Sequence, residues 1–311
     1  MKVCSFLPAV TQMIYDMGLE RDLYGVTFEC PEIALKEKKR VVRCILEGTK
    51  YSSQEIDKIF SKSKADGESL YYVDEEMLQS IQPDLIFTQD TCEVCQIDAA
   101  CTTAAVSKLE KEVELVEISP DSFEDVLTMA NLIAAKMGRL KTFHKYEQKL
   151  RNYIREIADT ITRERLPERT VSLIEWIDPL YNCGHWIPDQ INLAGGNDGL
   201  SSPHGDSYRI TWEALKDYDP EVLVLAPCGY RIKRSLEDMP YLTGKKGWDD
   251  LRAVKNNEVY LIEFEFFTQP SASTLVDGIR LLASVFHPEY FKLPSNLKNV
   301  ILKFEPQLIF L

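Results

Sequence analysis

The stretch from Ser122 to Arg165 constrains this chain more than any other. It is long, rich in charge and almost free of helix breakers. Val126, Met129, Ile133, Met137, Leu140, Phe143, Tyr146, Leu150, Tyr153, Ile157 and Ile161 recur at steps of three or four. That spacing draws one apolar stripe along a helix. Lys136, Arg139, Lys141, Lys145, Lys149, Arg151 and Arg155 fall on the opposite face. Ser119-Pro120-Asp121-Ser122 supplies a proline, capping side chains and an early acid at the start, and Pro167 stops the run. Unbroken, such a helix is about 60 Å long at 1.5 Å per residue. That length suits a strut joining two lobes. Gly138 leaves room for a bend, and a pair of antiparallel helices is the plainer alternative.

On either side of this segment the pattern is α/β. Before it, Val3 to Leu7, Leu23 to Phe28, Val41 to Ile45, Pro83 to Gln89 and Val113 to Ile118 read as strands. Helical periodicity lies between them, at Ser52 to Lys64, Glu75 to Ile81 and Ala99 to Lys111. After the segment, Thr170 to Trp176, Asp219 to Ala226, Glu258 to Phe264 and Val300 to Phe304 read as strands. Asp189 to Ala194, Thr211 to Lys216 and Ser273 to Phe286 read as helices. Each half carries one strand written as proline, acid, then four apolar residues: Pro83-Asp84-Leu85-Ile86-Phe87-Thr88-Gln89 and Pro220-Glu221-Val222-Leu223-Val224-Leu225-Ala226. In open α/β sheets the turns at the carboxyl ends of the strands line the ligand crevice. The expected architecture is two Rossmann-like lobes, residues 1–120 and 168–311, joined by a helical backbone over 121–167, with a cleft between them for a ligand.

At 311 residues the chain is long enough for two such cores. A formal charge of −13 argues against non-specific binding to nucleic acid or anionic membranes, while leaving room for a local basic patch. No run approaches the roughly 20 apolar residues that span a bilayer. The first residues show no secretory h-region, and eight cysteines without a signal fit a reducing compartment. A cytoplasmic location is therefore expected, or an extracytoplasmic one for a processed or truncated chain.

Cys92-x-x-Cys95 falls between a strand ending near Gln89 and a helix beginning near Asp98. A helix N-terminus favours the thiolate. If Cys30 and Cys228 occupy equivalent turns, four thiols converge, a donor set for zinc or an iron–sulfur cluster. Incidental cysteines, or a redox pair, use the same spacing. There is no Gly-x-Gly-x-x-Gly, Walker loop or Gly-x-Ser-x-Gly, so nucleotide and serine-hydrolase chemistry find no support.

Several of these stretches together resemble the helical-backbone class of ABC-transporter substrate-binding proteins, the cobalamin and ferric-siderophore type. They are Leu7-Pro8-Ala9-Val10-Thr11-Gln12-Met13, Leu23-Tyr24-Gly25-Val26-Thr27, Pro83-Asp84-Leu85-Ile86, Gly184-His185-Trp186-Ile187-Pro188, Leu193-Ala194-Gly195-Gly196 and Asp219-Pro220-Glu221-Val222-Leu223-Val224. The resemblance runs in order over about residues 3 to 286. Glu29-Cys30-Pro31, Gln89 to Cys95 and Pro227-Cys228-Gly229 resemble the subgroup labelled cobalamin-binding. It implies a binder, rather than an enzyme, for a corrinoid or related metal chelate, with an ABC permease as partner and no membrane insertion. Gln89, Trp176, His185 and Trp186 are the first ligand-binding candidates, with His185 suited to an axial metal position. Tyr230, Glu263, Phe264 and Phe267 complete that set, their rings suited to a flat macrocycle. Cys30, Cys92, Cys95 and Cys228 are the metal candidates. The rival reading is a cytoplasmic enzyme or metalloprotein that uses those four cysteines for a cluster, zinc or redox work. For His185 the plain alternative is a hydrogen-bonded loop residue; for Glu263 to Phe267 it is a half-buried strand.

Overall fold

Leu85-Ile86-Phe87-Thr88 is buried along its whole length, as a parallel strand covered on both faces must be. It lies inside the first of two sheets in a computed structural model that describes residues 1–66, 68–89 and 99–305. By its internal contacts the chain divides into two compact units, residues 1–119 with 127–146, and residues 120–126 with 147–311.

The first unit contains β1 (Val3–Ser5), α1 (Pro8–Asp16), β2 (Leu23–Thr27), α2 (Glu32–Glu37), β3 (Lys39–Cys44), α3 (Ser53–Asp66), β4 (Tyr71–Val73), α4 (Glu75–Ile81), β5 (Leu85–Thr88), α5 (Ala99–Val106) and β6 (Glu114–Glu117). The sheet order is β4-β3-β2-β1-β5-β6. All pairs are parallel except β3 with β4. The order reverses between β1 and β5, where a doubly wound sheet opens a crevice at its carboxyl edge. Cys4, Phe6, Val41, Val42, Leu78 and Ile86 belong to one buried apolar cluster of this unit.

The long helical segment is two helices, α6 (Phe123–Lys136) and α7 (Leu140–Glu164). They part at Gly138, whose φ of +68° is the left-handed conformation glycine adopts most readily at a helix end. The unbroken strut is therefore replaced by a helix pair. α7 alone has 25 residues, about 37 Å at 1.5 Å per residue. Its residues 140–146 belong to the first unit and the rest to the second.

The second unit contains β7 (Arg169–Ile174), β8 (Gly184–His185), α8 (Ile187–Leu193), β9 (Gly196–Asn197), β10 (Ser202–Pro203), α9 (Trp212–Tyr218), β11 (Val222–Leu225), α10 (Ile232–Thr243), α11 (Arg252–Lys255), β12 (Val259–Ile262), α12 (Ala272–Phe286) and β13 (Ile301–Lys303). The sheet order is β13-β12-β11-β7-β9, parallel but for β13. Leu223, Leu225, Met239, Trp248, Leu251 and Leu261 form its core.

The two proline-led strands share one construction. α4 starts on an Asp74 side chain that accepts from Met77 N–H and ends on left-handed Gln82 (φ +53°), just before Pro83. α9 starts on Thr211, which accepts from Ala214 N–H, and ends on left-handed Asp219 (φ +46°), just before Pro220. The proline halts the helix, and the buried strand follows.

Two differences from the sequence reading bear on function. The strand expected over Glu258 to Phe264 ends at Ile262, and Phe264–Phe266 is a 3-10 turn. Alternating acid and aromatic residues are thus wound into a tight turn, which puts positions three apart on one side. Helix α10 was also not anticipated, because Pro240 lies inside it and Gly244 ends it.

Candidate functional site

In the second unit the chain leaves the carboxyl ends of three parallel strands through loops that pack on one another. After β7 come Glu175 and Trp176. Trp176 pairs with Tyr181 in an antiparallel bridge, and Glu175 N–H donates to Tyr181 carbonyl at 3.1 Å. This small hairpin fixes where the indole sits.

After β11 the chain turns at Pro227-Cys228-Gly229-Tyr230. Tyr230 N–H donates to Pro227 carbonyl at 2.9 Å, and Gly229 takes φ +75°, the position such a turn reserves for glycine. Cys228 N–H donates to Glu175 carbonyl at 2.9 Å, tying this turn to the β7 loop. The ring of Tyr230 meets that of Trp176 at 4.9 Å between centroids, and the Arg234 guanidinium covers it at 4.6 Å. Arg234 is held in turn by Asp238 at 2.8 Å.

After β12 the 3-10 turn brings up Glu263, Phe264 and Glu265. Arg231 forms ion pairs with Glu263 (3.4 Å) and with Glu265, and lies 5.6 Å from the centre of Phe264. Burial still pushes the Glu263 carboxyl upward, Arg231 notwithstanding. The edge therefore carries an aromatic pair beside a network of two carboxylates and one guanidinium. Two polar atoms in it, Trp176 Nε1 and Glu265 Oε2, are covered and lack a hydrogen-bond partner among the described residues. Leaving such a group unmade typically costs about 1–3 kcal/mol, which marks these two atoms as exceptions to explain.

Trp186 and Phe267 stand behind this edge rather than on it. Phe267 is fully buried, and Trp186 is 9% exposed. Trp186 Nε1 donates to Phe267 carbonyl at 2.6 Å, and Gln190 Nε2 donates to the Phe266 and Leu275 carbonyls at 2.9 and 2.8 Å. These bonds brace the 3-10 turn from beneath. Their burial favours a supporting role over the direct wall role expected of them. His185 takes φ +53° in the β8–β10 pair, donates its N–H to Gly205 carbonyl at 2.7 Å, and stacks on Trp186 with centroids 5.4 Å apart. Its Nε2 lies 3.8 Å from the exposed Asp206 carboxylate.

Glu175 was not anticipated. Its carboxylate accepts from Gly184 N–H at 3.3 Å, and burial pushes it from the ordinary 4.5 up to about 7, with Gly184 and Ser207 opposing. A raised carboxyl binds its proton more tightly folded than unfolded, so the associated stability is complete below about pH 4.5 and is lost as pH rises through 7. Between pH 5 and 8, wild type should lose on the order of 2 kcal/mol relative to Glu175→Gln, measured by urea unfolding. Parallel pH dependence of the two proteins would contradict this assignment.

In the first unit Gln89 follows β5 directly, at the carboxyl edge. Cys30 is buried, and its thiol donates to Thr11 Oγ1 at 3.2 Å. Burial pushes that thiol up to about 12, against the help of Thr11 and of the Thr27 contact. In this packing Cys30 is a buried, hydrogen-bonded thiol. Iodoacetamide at pH 8 should leave the Cys30 peptide unmodified in native protein and label it in urea; native labelling as fast as at half-buried Cys228 would contradict this. Cys92 and Cys95 lie outside the described residues. Among the described residues no group of three or more His, Cys, Asp or Glu side chains could hold a metal ion, so neither a zinc nor an iron–sulfur site is shown there. No helix among them is long and apolar enough to cross a membrane.

Sequence reasoning missed Arg231, Arg234 and Glu175. The only trace of the first two was a basic run, Arg231 to Arg234, two residues after a turn glycine in an acidic chain.

The chain is similar to the uncharacterized ABC transporter substrate-binding lipoprotein YvrC of Bacillus subtilis (strain 168), with 22% identity over 300 residues, covering 94% of this chain and 81% of that protein. The periplasmic heme binding protein from Pseudomonas aeruginosa shares its fold at a TM-score of 0.68 and 19% identity, covering 95% of this chain and 96% of the other. The periplasmic vitamin B12 binding protein BtuF of Vibrio cholerae does so at a TM-score of 0.61 and 14% identity, over 92% and 96%. Nothing among these relatives supports the expected cytoplasmic location. The family described as periplasmic binding protein matches residues 8–265, a span that takes in strands of both sheets and the helix pair α6–α7. By that match, and with the two-sheet α/β fold its motifs implied, the chain belongs to the periplasmic binding protein family.

Proposed function

We propose that this protein is the substrate-binding component of an ABC importer, working outside the cytoplasm, and that its ligand is a corrinoid bearing neutral amide groups. Family membership and the similarity to a substrate-binding lipoprotein support the general role. The observation that carries the ligand class is the pair of unpartnered atoms at the carboxyl edge of the second sheet. Trp176 Nε1 is a donor in need of an acceptor, and Glu265 Oε2 an acceptor in need of a donor. A primary amide offers both. A carboxylate offers only acceptors, and it would meet the negative charge of Glu263 and Glu265, which Arg231 alone offsets. Both side chains are partly exposed at this edge. The Trp176–Tyr230 pair adds ring faces for a flat macrocycle. His185, Glu263 and Phe264 stay in the proposed ligand set of this edge, where Cys228 serves through its turn. Gln89 stays a proposed ligand residue of the first unit by itself, at the carboxyl edge of the first sheet.

The test is equilibrium binding of hydroxocobalamin against a corrinoid whose peripheral amides have been hydrolysed to carboxylates. We expect the amide form to bind at least about tenfold tighter, a difference of about 1.4 kcal/mol. Equal affinity, or preference for the carboxylate form, would overturn the ligand assignment.

A further inference from the structure

The carboxyl edge of the second sheet carries the proposed ligand site, but the amino edge of the first sheet carries something the fold does not require. Two adjoining depressions of ≈ 530 and ≈ 470 Å³ lie there and share Arg21 and Tyr24. Between them they are lined by five cations, Lys2, Arg21, Lys38, Lys39 and Arg139, against two acids, Asp22 and Glu37. In a chain of formal charge −13 this is a marked local reversal.

Among the described residues none of the five side chains forms an ion pair with a carboxylate. Lys2 Nζ donates to Ile81 carbonyl at 2.8 Å, and Lys38 Nζ donates to Glu20 carbonyl at 2.7 Å. Lys39 Nζ donates to Ser80 Oγ at 2.9 Å, and Arg139 donates to its neighbour Gly138 carbonyl at 3.3 Å. Such bonds fix the side chains but leave the positive charge uncompensated. Arg21, common to both depressions, has no hydrogen bond or ion pair among the described residues. Of the two acids, Glu37 is engaged by the Tyr15 hydroxyl, which donates to it at 2.9 Å.

We infer that this edge binds a multiply charged phosphate-bearing anion, with the free Arg21 guanidinium as its principal contact. A guanidinium offers paired N–H donors that match two phosphoryl oxygens, and neighbouring lysines add charge without geometric demand. Tyr24, 44% exposed in both depressions, supplies a hydroxyl donor. The inference is independent of the proposed ligand site in the second unit.

Inorganic pyrophosphate titrated by calorimetry is the probe for a soluble source, and co-sedimentation with phosphatidylglycerol vesicles, against phosphatidylcholine, is the probe for a lipid headgroup. Each is repeated with Arg21→Ala/Arg139→Ala, whose exposed sites should leave the melting temperature unchanged. We expect binding to at least one probe, weakened about tenfold or more in the double variant. Pyrophosphate binding assigns a soluble phosphate, and vesicle binding alone assigns a headgroup. No binding to either, or binding that the folded double variant retains in full, overturns the inference.

Discussion

Trp176→Ala is expected to weaken corrinoid binding about thirtyfold, roughly 2 kcal/mol, while leaving the thermal midpoint nearly unchanged. The indole is half-buried at the mouth of the β7 loop, and its main neighbour is the Tyr230 ring at 4.9 Å. Its removal takes away ring surface and the one donor at this edge that lacks a partner among the described residues. Trp176→Phe separates these contributions. It keeps a face for stacking and loses only the N–H, so it should fall between wild type and alanine. Titration of each variant with hydroxocobalamin, beside a melting curve, checks the series. Wild-type affinity in Trp176→Ala would remove this edge from the binding surface.

Phe267→Ala should act through stability instead. The ring is fully buried, and large-to-small changes at such positions cost about 3–5 kcal/mol. For a protein of this size that lowers the midpoint by roughly 10 °C. Its backbone carbonyl also receives the Trp186 indole, so the 3-10 turn carrying Glu263 to Glu265 loses its brace as the core loosens. Trp186→Phe, which leaves that carbonyl unmade, should cost a smaller amount, about 1–2 kcal/mol. Urea unfolding measures both. A Phe267→Ala protein that unfolds like wild type yet binds corrinoid poorly would return Phe267 to the ligand wall.

Much of the fold could be read from local patterns because local chemistry dictates it. The two proline-led strands stand out because each follows a helix ending on a left-handed residue, an arrangement that leaves proline, acid and a buried apolar run in the sequence. The apolar stripe of α6 and α7 and the break at Gly138 were visible for the same reason. The candidate site was less legible. Glu263 to Phe267 alternates like a strand over too few residues to tell period two from a tight turn, and tertiary bonds from Trp186 and Gln190 support the turn. Cys30 looks like a ligand in a Glu-Cys-Pro turn, and only the packing of α1 shows its thiol bonded to Thr11. Arg231 and Arg234 sit at the start of a helix that Pro240 disguises, and charged residues there have no distinctive pattern.

The most direct test of the account is the visible absorption spectrum of anaerobically purified protein before and after stoichiometric hydroxocobalamin. We predict no thiolate-to-iron bands beforehand, and a shift of the corrinoid bands on addition that saturates at one equivalent. Iron–thiolate absorption already present, with corrinoid bands that do not respond, would contradict the binding account and point to a cluster protein instead.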